Sequence, residues 1–303
     1  MGPTGVGKTD LMIELYSQFP IKIIGVDSVQ IYKHLNIGSG KPSSNLLKKY
    51  PHDLVDIIEP TENYSTARFQ EDVIKSIKDS FEEERIPILV GGTMMYFHHL
   101  VEGISKLPKV SEAIRAQVES EFEREGSQKM HDHLKTIDSK SSTKIHFNDS
   151  QRIKRAIEVY RFTGQELSKW QEEKKKEVSE IITKSNLKQI ALIPESRDLH
   201  REVISERFKM MIKEGLVEEV EDILNIKGMS YASHSMKSVG YRQVCEYLAG
   251  DHGLDDMIEK SVNATRQLAK RQMTWINNWN NLIKVDKKES PLDTVNDLIK
   301  KNI

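Results

Sequence analysis

Eight residues at the head of the chain, Gly2-Pro3-Thr4-Gly5-Val6-Gly7-Lys8-Thr9, fit the pattern G-x-x-x-x-G-K-[S/T] at every fixed position. No other stretch constrains the fold as much. Its glycines let backbone N–H groups turn inward around phosphate oxygens, and the helix that follows presents its positive end to the same anion. Lys8 adds a point charge, and the hydroxyl of Thr9 can hold Mg²⁺. Gly2, Pro3, Thr4, Gly5, Val6, Gly7, Lys8 and Thr9 are therefore the candidate phosphate-binding residues, with Thr9 the candidate metal ligand. A chance glycine-rich turn is the competing reading, and the helix-forming segment directly after Thr9 weighs against it. Such a loop ordinarily follows a buried strand. Here only Met1 precedes Gly2, so the sheet is expected to lack that central strand.

The rest of the chain supplies the alternation this loop requires. Residues 21–26, 54–58 and 86–90 read as buried strands, with helices over 10–19 and 65–84 between them, which indicates a parallel sheet with crossover helices. From about 109 to 180 the chain turns rich in Glu, Lys, Gln and Ser with helical periodicity and no strand signal. The dense Lys/Glu run 171–180 reads as a solvated helix face. Residues 189–194 return to the sheet and 282–285 form a late edge strand, with helices over 199–213, 217–224, 236–248 and 255–279. The expected fold is α/β: a P-loop NTPase-like parallel sheet flanked by helices and interrupted by an all-helical insertion. The division falls at 1–108 and 188–303 for the core with its C-terminal helices, and 109–187 for the insertion. A length of 303 residues suits two such parts at ~150 residues per domain.

Composition narrows the class. A single cysteine, Cys245, excludes a disulfide framework and a cysteine-built zinc site, and His131 and His133 have no partner cluster for a metal. No apolar run approaches the ~18 residues of a membrane span, so a cytoplasmic protein with no membrane partner is expected. The 45 Lys and Arg against 46 Asp and Glu argue against a generally basic nucleic-acid coat, so a polyanion would have to meet a local basic surface.

A phosphate loop states only that a di- or triphosphate, ATP among them, binds; kinase, ATPase and group transferase remain open. Asp27 ends the strand 21–26, in the crevice where open α/β sheets bind ligands. A magnesium ligand, a helix cap and a catalytic base are equally compatible with that position. Thr93, after Gly91-Gly92, ends the next strand at the same crevice, or marks a plain turn.

Taken together, five blocks in one order resemble the tRNA dimethylallyltransferases of bacterial type, also called tRNA isopentenyltransferases. They are residues 2–9; Asp27-Ser28-Val29-Gln30-Ile31-Tyr32 with Ile37-Gly38 and Lys41-Pro42, together with Leu89-Val90-Gly91-Gly92-Thr93-Met94-Met95-Tyr96-Phe97; Asn148-Asp149-Ser150-Gln151-Arg152-Ile153-Lys154-Arg155-Ala156-Ile157-Glu158-Val159-Tyr160; Val239-Gly240-Tyr241-Arg242-Gln243; and Thr265-Arg266-Gln267-Leu268-Ala269-Lys270-Arg271-Gln272-Met273-Thr274-Trp275. Ser150 and Gly40 stand where the family usually has proline and alanine, and Val203 stands where an arginine is often found.

The resemblance implies transfer of a dimethylallyl group from dimethylallyl diphosphate to the exocyclic amine of the adenine 3′ of the anticodon, in tRNAs reading codons that begin with U. Lys8 and a Mg²⁺ on Thr9 would stabilise the departing diphosphate. Asp27 would orient the amine and take its proton, Thr93 would hydrogen-bond beside it, and Arg207 matches a family arginine near the diphosphate. The base must leave its stack to be reached. Residues assigned by the resemblance to tRNA are Asp27, Ser28, Val29, Gln30, Thr93, Arg115, Gln151, Arg152, Ile153, Lys154, Arg155, Lys237, Ser238, Val239, Gly240, Tyr241, Arg242, Lys270, Arg271, Gln272, Thr274 and Trp275, with the helical insertion contacting the anticodon stem-loop. By periodicity alone Arg152 and Arg155 read as an ordinary solvated face, and Leu268, Trp275, Trp279 and Leu282 share one side that reads as core rather than a stacking platform. A monomer is the expected state. A small-molecule or nucleotide kinase on the same loop, and a non-catalytic RNA-binding protein, are the competing functions. The first leaves the basic blocks unexplained; the second leaves Lys8, Thr9 and Asp27 without a role.

Overall fold

The computed structural model describes residues 1–103, 107–173, 180–184 and 187–301. The chain divides into two compact units, Met1–Leu100 with Glu180–Ile303, and Val101–Ser179. In chain order the helices and strands are α1 (Lys8–Tyr16), β1 (Ile21–Val26), α2 (Ser44–Lys49), β2 (His52–Asp53), α3 (Thr66–Glu82), β3 (Ile86–Gly91) and α4 (Met94–Glu102). Next come α5 (Glu112–Ile137), α6 (Ser139–Lys144), α7 (Ser150–Thr163), α8 (Leu167–Glu173), α9 (Glu180–Lys184), β4 (Ile190–Ile193) and α10 (Arg197–Lys213). The chain closes with α11 (Leu216–Leu224), α12 (Tyr241–Leu248), α13 (Leu254–Asn277), β5 (Ile283–Asp286) and α14 (Pro291–Lys300).

In the first unit β1 is the centre of a parallel sheet of order β2-β1-β3, with Ile21 opposite Ile86 and Val26 opposite Gly91. β4 and β5 form a second parallel pair, so the strands make two sheets rather than the one expected. Directly ahead of the phosphate loop, Met1 extends the second pair. Its amine donates to the Ile190 carbonyl at 2.7 Å and its carbonyl accepts the Leu192 N–H at 2.9 Å, the slanted pattern of a parallel ladder. Alternation along the strands then builds two cores. Ile21, Ile23, Leu192 and Val285 pack with Leu11, Met12 and Leu15 of α1 and Val295 of α14. Ala191 packs with Met94 of α4 and Ile276 of α13.

The strand expected over 54–58 does not form. Leu54 and Asp56 take positive φ of 61° and 56°, a conformation no extended strand accommodates, and only the pair His52–Asp53 joins the sheet. The Asp56 carboxylate accepts instead from the buried ammonium of Lys41. The single helix expected over 236–248 is likewise broken: a turn at Ser235–Lys237 gives way to α12 only after Gly240, whose φ is 90°.

In the second unit, Ile153, Ala156, Ile157 and Val159 of α7 pack on Val118, Met130 and Leu134 of α5, with Leu167 of α8 closing the cluster. α5 is kinked at Gly126, where φ is 80° and ψ 165°. The central part of the Lys/Glu run, 174–179, lies outside the described residues.

Candidate active site

The site is built where β1 and β3 end side by side. Because Val26 pairs with Gly91, Asp27 and Thr93 leave the sheet at the same height. The Thr93 N–H donates to the Val26 carbonyl at 3.2 Å, and the Ser28 N–H donates to Thr93 Oγ1 at 3.0 Å. Asp27 Oδ1 accepts from the N–H groups of Val29 at 2.8 Å and Gln30 at 3.2 Å, so the carboxylate also caps its own turn. Burial holds the Asp27 carboxyl above the usual carboxylate range, against the pull of those two amides and the charges of Lys8 and Arg207.

The phosphate loop has the geometry its glycines imply, with Gly5 at φ 77° and Gly7 at φ 90° immediately before α1. The Lys8 ammonium folds back onto the loop and donates to the carbonyls of Gly2 at 3.0 Å and Pro3 at 2.8 Å. Burial, with Arg207 adding repulsion, lowers its pKa to about 8 although Asp27 opposes the change. Two side chains brace the loop from outside: His200 Nε2 lies 2.8 Å from the Thr4 carbonyl, and Gln272 Oε1 accepts the Thr4 N–H at 2.9 Å while its Nε2 donates to the Gly92 carbonyl at 2.9 Å.

Arg207, on α10, donates to the Gly40 carbonyl at 3.4 Å, and a Cβ on Gly40 would meet the end of its guanidinium at 1.8 Å, so a larger residue there would shift the arginine. Gln30 Nε2 donates to the carbonyls of Ser39 and Gly40, both at 3.2 Å. Sequence reasoning missed what fixes this loop. Glu219 of α11 accepts the N–H groups of Asn36 at 3.0 Å, Ile37 at 2.8 Å and Gly38 at 3.2 Å, and the Tyr241 hydroxyl at 2.7 Å. A glutamate within an amphipathic helix carries no local signal for partners 180 residues away. Beside Arg207 opens a cavity of about 770 Å³ lined in part by Ile37, Pro42, Leu47, Val203, Met210 and Met211.

The residues expected to meet tRNA divide sharply. Ser28, Arg115, Gln151, Arg152, Lys237, Arg242, Lys270, Arg271, Thr274 and Trp275 are exposed. Ile153 is fully buried in the core of α5 and α7, and Tyr241 is fully buried against Gly38, so neither presents its side chain to a macromolecule. Gln272 is 7% exposed and both ends of its amide are used internally. Lys154 is paired with Glu119 at 2.8 Å, and Arg155 donates to the Pro108 carbonyl at 3.2 Å. Gly240 is buried; Val29, Gln30, Thr93, Ser238 and Val239 are half-buried. Trp275 departs from its expected core position: it is 40% exposed, its ring lying 5.3 Å from that of His98. The helix ends at Asn277, yet the Trp279 ring lies 6.3 Å from that of Trp275, and Leu282 packs against the core of Met94, Ala191 and Ile276.

A glycine loop that opens onto a helix N-terminus, beside a desolvated acid and a hydroxyl at adjoining strand ends, is an arrangement found in enzymes that break or transfer phosphate-linked groups on open α/β sheets. Comparison with known proteins narrows that class. The family model described as IPP transferase matches residues 30–279. A relative from Hahella chejuensis, tRNA dimethylallyltransferase 2, is 42% identical over 289 residues, 92% of this chain and 87% of its own. The crystal structure of the full-length tRNA isopentenylpyrophosphate transferase from Bacillus halodurans superposes with a TM-score of 0.70 at 30% identity, covering 99% of this chain and 94% of that one. A eukaryotic dimethylallyltransferase, solved in snapshots of its action on tRNA, shares the fold with a TM-score of 0.78 at 24% identity, covering 100% and 79%. The chain belongs to the tRNA dimethylallyltransferase, or IPP transferase, family, and its fold is that family's P-loop NTPase-like α/β fold with added helices.

Proposed function

We propose that the chain transfers the dimethylallyl group of dimethylallyl diphosphate to the exocyclic amine of the adenine 3′ of the anticodon, in tRNAs reading codons that begin with U. The observation that carries this reading is Asp27, a carboxylate desolvated at a strand end and in the field of Lys8 and Arg207. In the reaction the allylic C–O bond breaks, a C–N bond forms, the amine proton passes to Asp27, and diphosphate leaves into the loop. A carboxyl held above its usual range is better matched to accepting a proton near neutrality. Lys8, the loop amides and Arg207 receive the charge that develops on the leaving oxygens.

Mg²⁺ fits this donor set as an ion that arrives with its ligand. No group of three or more His, Cys, Asp or Glu able to hold a metal occurs among the described residues, while Thr9 sits at the head of α1 with its hydroxyl available. Mg²⁺ is usually bound by one or two protein oxygens plus phosphates and waters, and it would neutralise the departing diphosphate. We assign contacts with the anticodon stem-loop to the exposed cations of α7 in the insertion and, taken by themselves, to those of α12 and α13 in the first unit. We place the enzyme, as a monomer, in the cytoplasm. Among the described residues no helix is long and apolar enough to cross a membrane.

Incubation with unmodified tRNA, Mg²⁺ and radiolabelled dimethylallyl diphosphate tests the reading, with label expected in the RNA. No label, with turnover of ATP on a small acceptor, would replace it with the kinase reading, which family membership does not favour.

A further inference from the structure

Gln272 lies in the block that the family likeness assigns to tRNA, yet the helix that carries it separates two kinds of residue. Ala269, Gln272 and Ile276 form the buried stripe of α13, while Lys270, Arg271, Thr274 and Trp275 face outward. Its amide spans two backbone segments distant in sequence. Oε1 takes the Thr4 N–H at 2.9 Å, and Nε2 gives to the Gly92 carbonyl at 2.9 Å. The first segment ends in Lys8 and Thr9; the second is followed at once by Thr93. The approach is close enough that a Cβ on Gly92 would come within 2.6 Å of Nε2, and the same point lies 3.4 Å from the Gly2 carbonyl, to which Lys8 donates. The amide supplies an acceptor to one segment and a donor to the other, and it leaves neither of its polar atoms unpaired.

We propose that Gln272 is a positioning residue that holds the phosphate loop against the strand end bearing Thr93, and so sets the distance between the donor's leaving group and the accepting amine, without touching tRNA. The proposal deepens the transferase reading and rests on it. Reaction rate is steep in such distances, since a misplacement of ~1 Å can cost ~100-fold.

Two near-isosteric variants test it. Gln272→Met removes both hydrogen bonds; kcat is expected to fall by ~10–100-fold, with the tRNA dissociation constant, read by filter binding, within about twofold of wild type. Gln272→Glu as a carboxylate sets like charge against the Gly92 carbonyl; protonated, it presents the same acceptor and a donor. Its kcat relative to wild type should therefore rise as pH is lowered, while the ratio for Gln272→Met stays flat. Amide hydrogen exchange at residues 2–9 and 89–96 should quicken in Gln272→Met, a readout independent of turnover. Unchanged kcat, a flat Gln272→Glu ratio, unchanged exchange, or a loss confined to tRNA affinity with full kcat at saturation each overturns the proposal. If the wild-type chain transfers no label, the transferase reading fails instead, and the exchange measurement still decides whether the tie exists. Should Gln272→Met fail to fold, the pH ratio of Gln272→Glu carries the test.

Discussion

The end of the molecule that would hold the donor and the surfaces that would hold tRNA solve opposite problems. Around the phosphate loop the polar groups are already paired with the protein: Lys8 to two carbonyls, Asp27 to two amides, Gln272 to Thr4 and Gly92. On the exposed faces the cations are held loosely or by single acids, as Arg152 by Asp149 at 3.4 Å and Arg242 by Glu246 at 3.6 Å. Lys270 and Arg271 make no ion pair with another described residue. The contrast is what a bond-forming centre and a polyanion surface each demand. Chemistry needs groups fixed before the substrate arrives. Phosphate backbones are met by mobile charges whose attraction is set by released counterions.

Substitutions should therefore act differently on the two sides. The largest effect is expected for Asp27→Ala, a fall in kcat of ~10²–10⁴-fold, as for other positioned bases, with tRNA affinity little changed; near-normal transfer by this variant would remove Asp27 from the base role. Lys8→Ala should lower kcat/KM for the donor by ~10²–10³-fold. In the intact enzyme the same parameter is expected to fall on the alkaline side as Lys8 loses its proton at about pH 8, and on the acid side above the ordinary carboxylate range as Asp27 gains one. An alkaline limb that persists in Lys8→Arg would assign it elsewhere. Glu219→Gln keeps the shape but weakens bonds to three amides, and should cost ~1.5–3 kcal/mol in denaturant unfolding. Smallest at fixed salt, Lys270→Ala with Arg271→Ala should weaken tRNA binding several-fold and flatten the plot of log affinity against log salt by ~1 per lost phosphate contact, leaving kcat intact. A kcat loss in that double variant would break the division drawn here.

How much of this was legible in the sequence follows from how local each signal is. β1, β3 and α3 fall where the strand and helix runs of the sequence put them, because a buried parallel strand and a helix are each written in consecutive residues. Residues 54–58, Leu-Val-Asp-Ile-Ile, have strand composition, while the left-handed backbone at Leu54 and Asp56 goes with a loop whose Asp56 is held by Lys41. The motif residues were found, but not their division into inward and outward members. Ile153, Tyr241 and Gln272 sit among basic neighbours in the chain and among apolar or backbone groups in space. Only three-dimensional packing separates a residue kept for contact with RNA from one kept to hold a loop.

The resting attachment of Lys8 has a consequence for discrimination among anions. A ligand entering the loop does not meet a bare ammonium; it must exchange with the carbonyls of Gly2 and Pro3, so hydrogen bonds are traded rather than added. What favours the exchange is the charge the newcomer brings into a desolvated pocket, together with the second cation it can engage at Arg207. The loop thereby selects for charge: its lysine leaves two carbonyls only for an anion that offers more than they do.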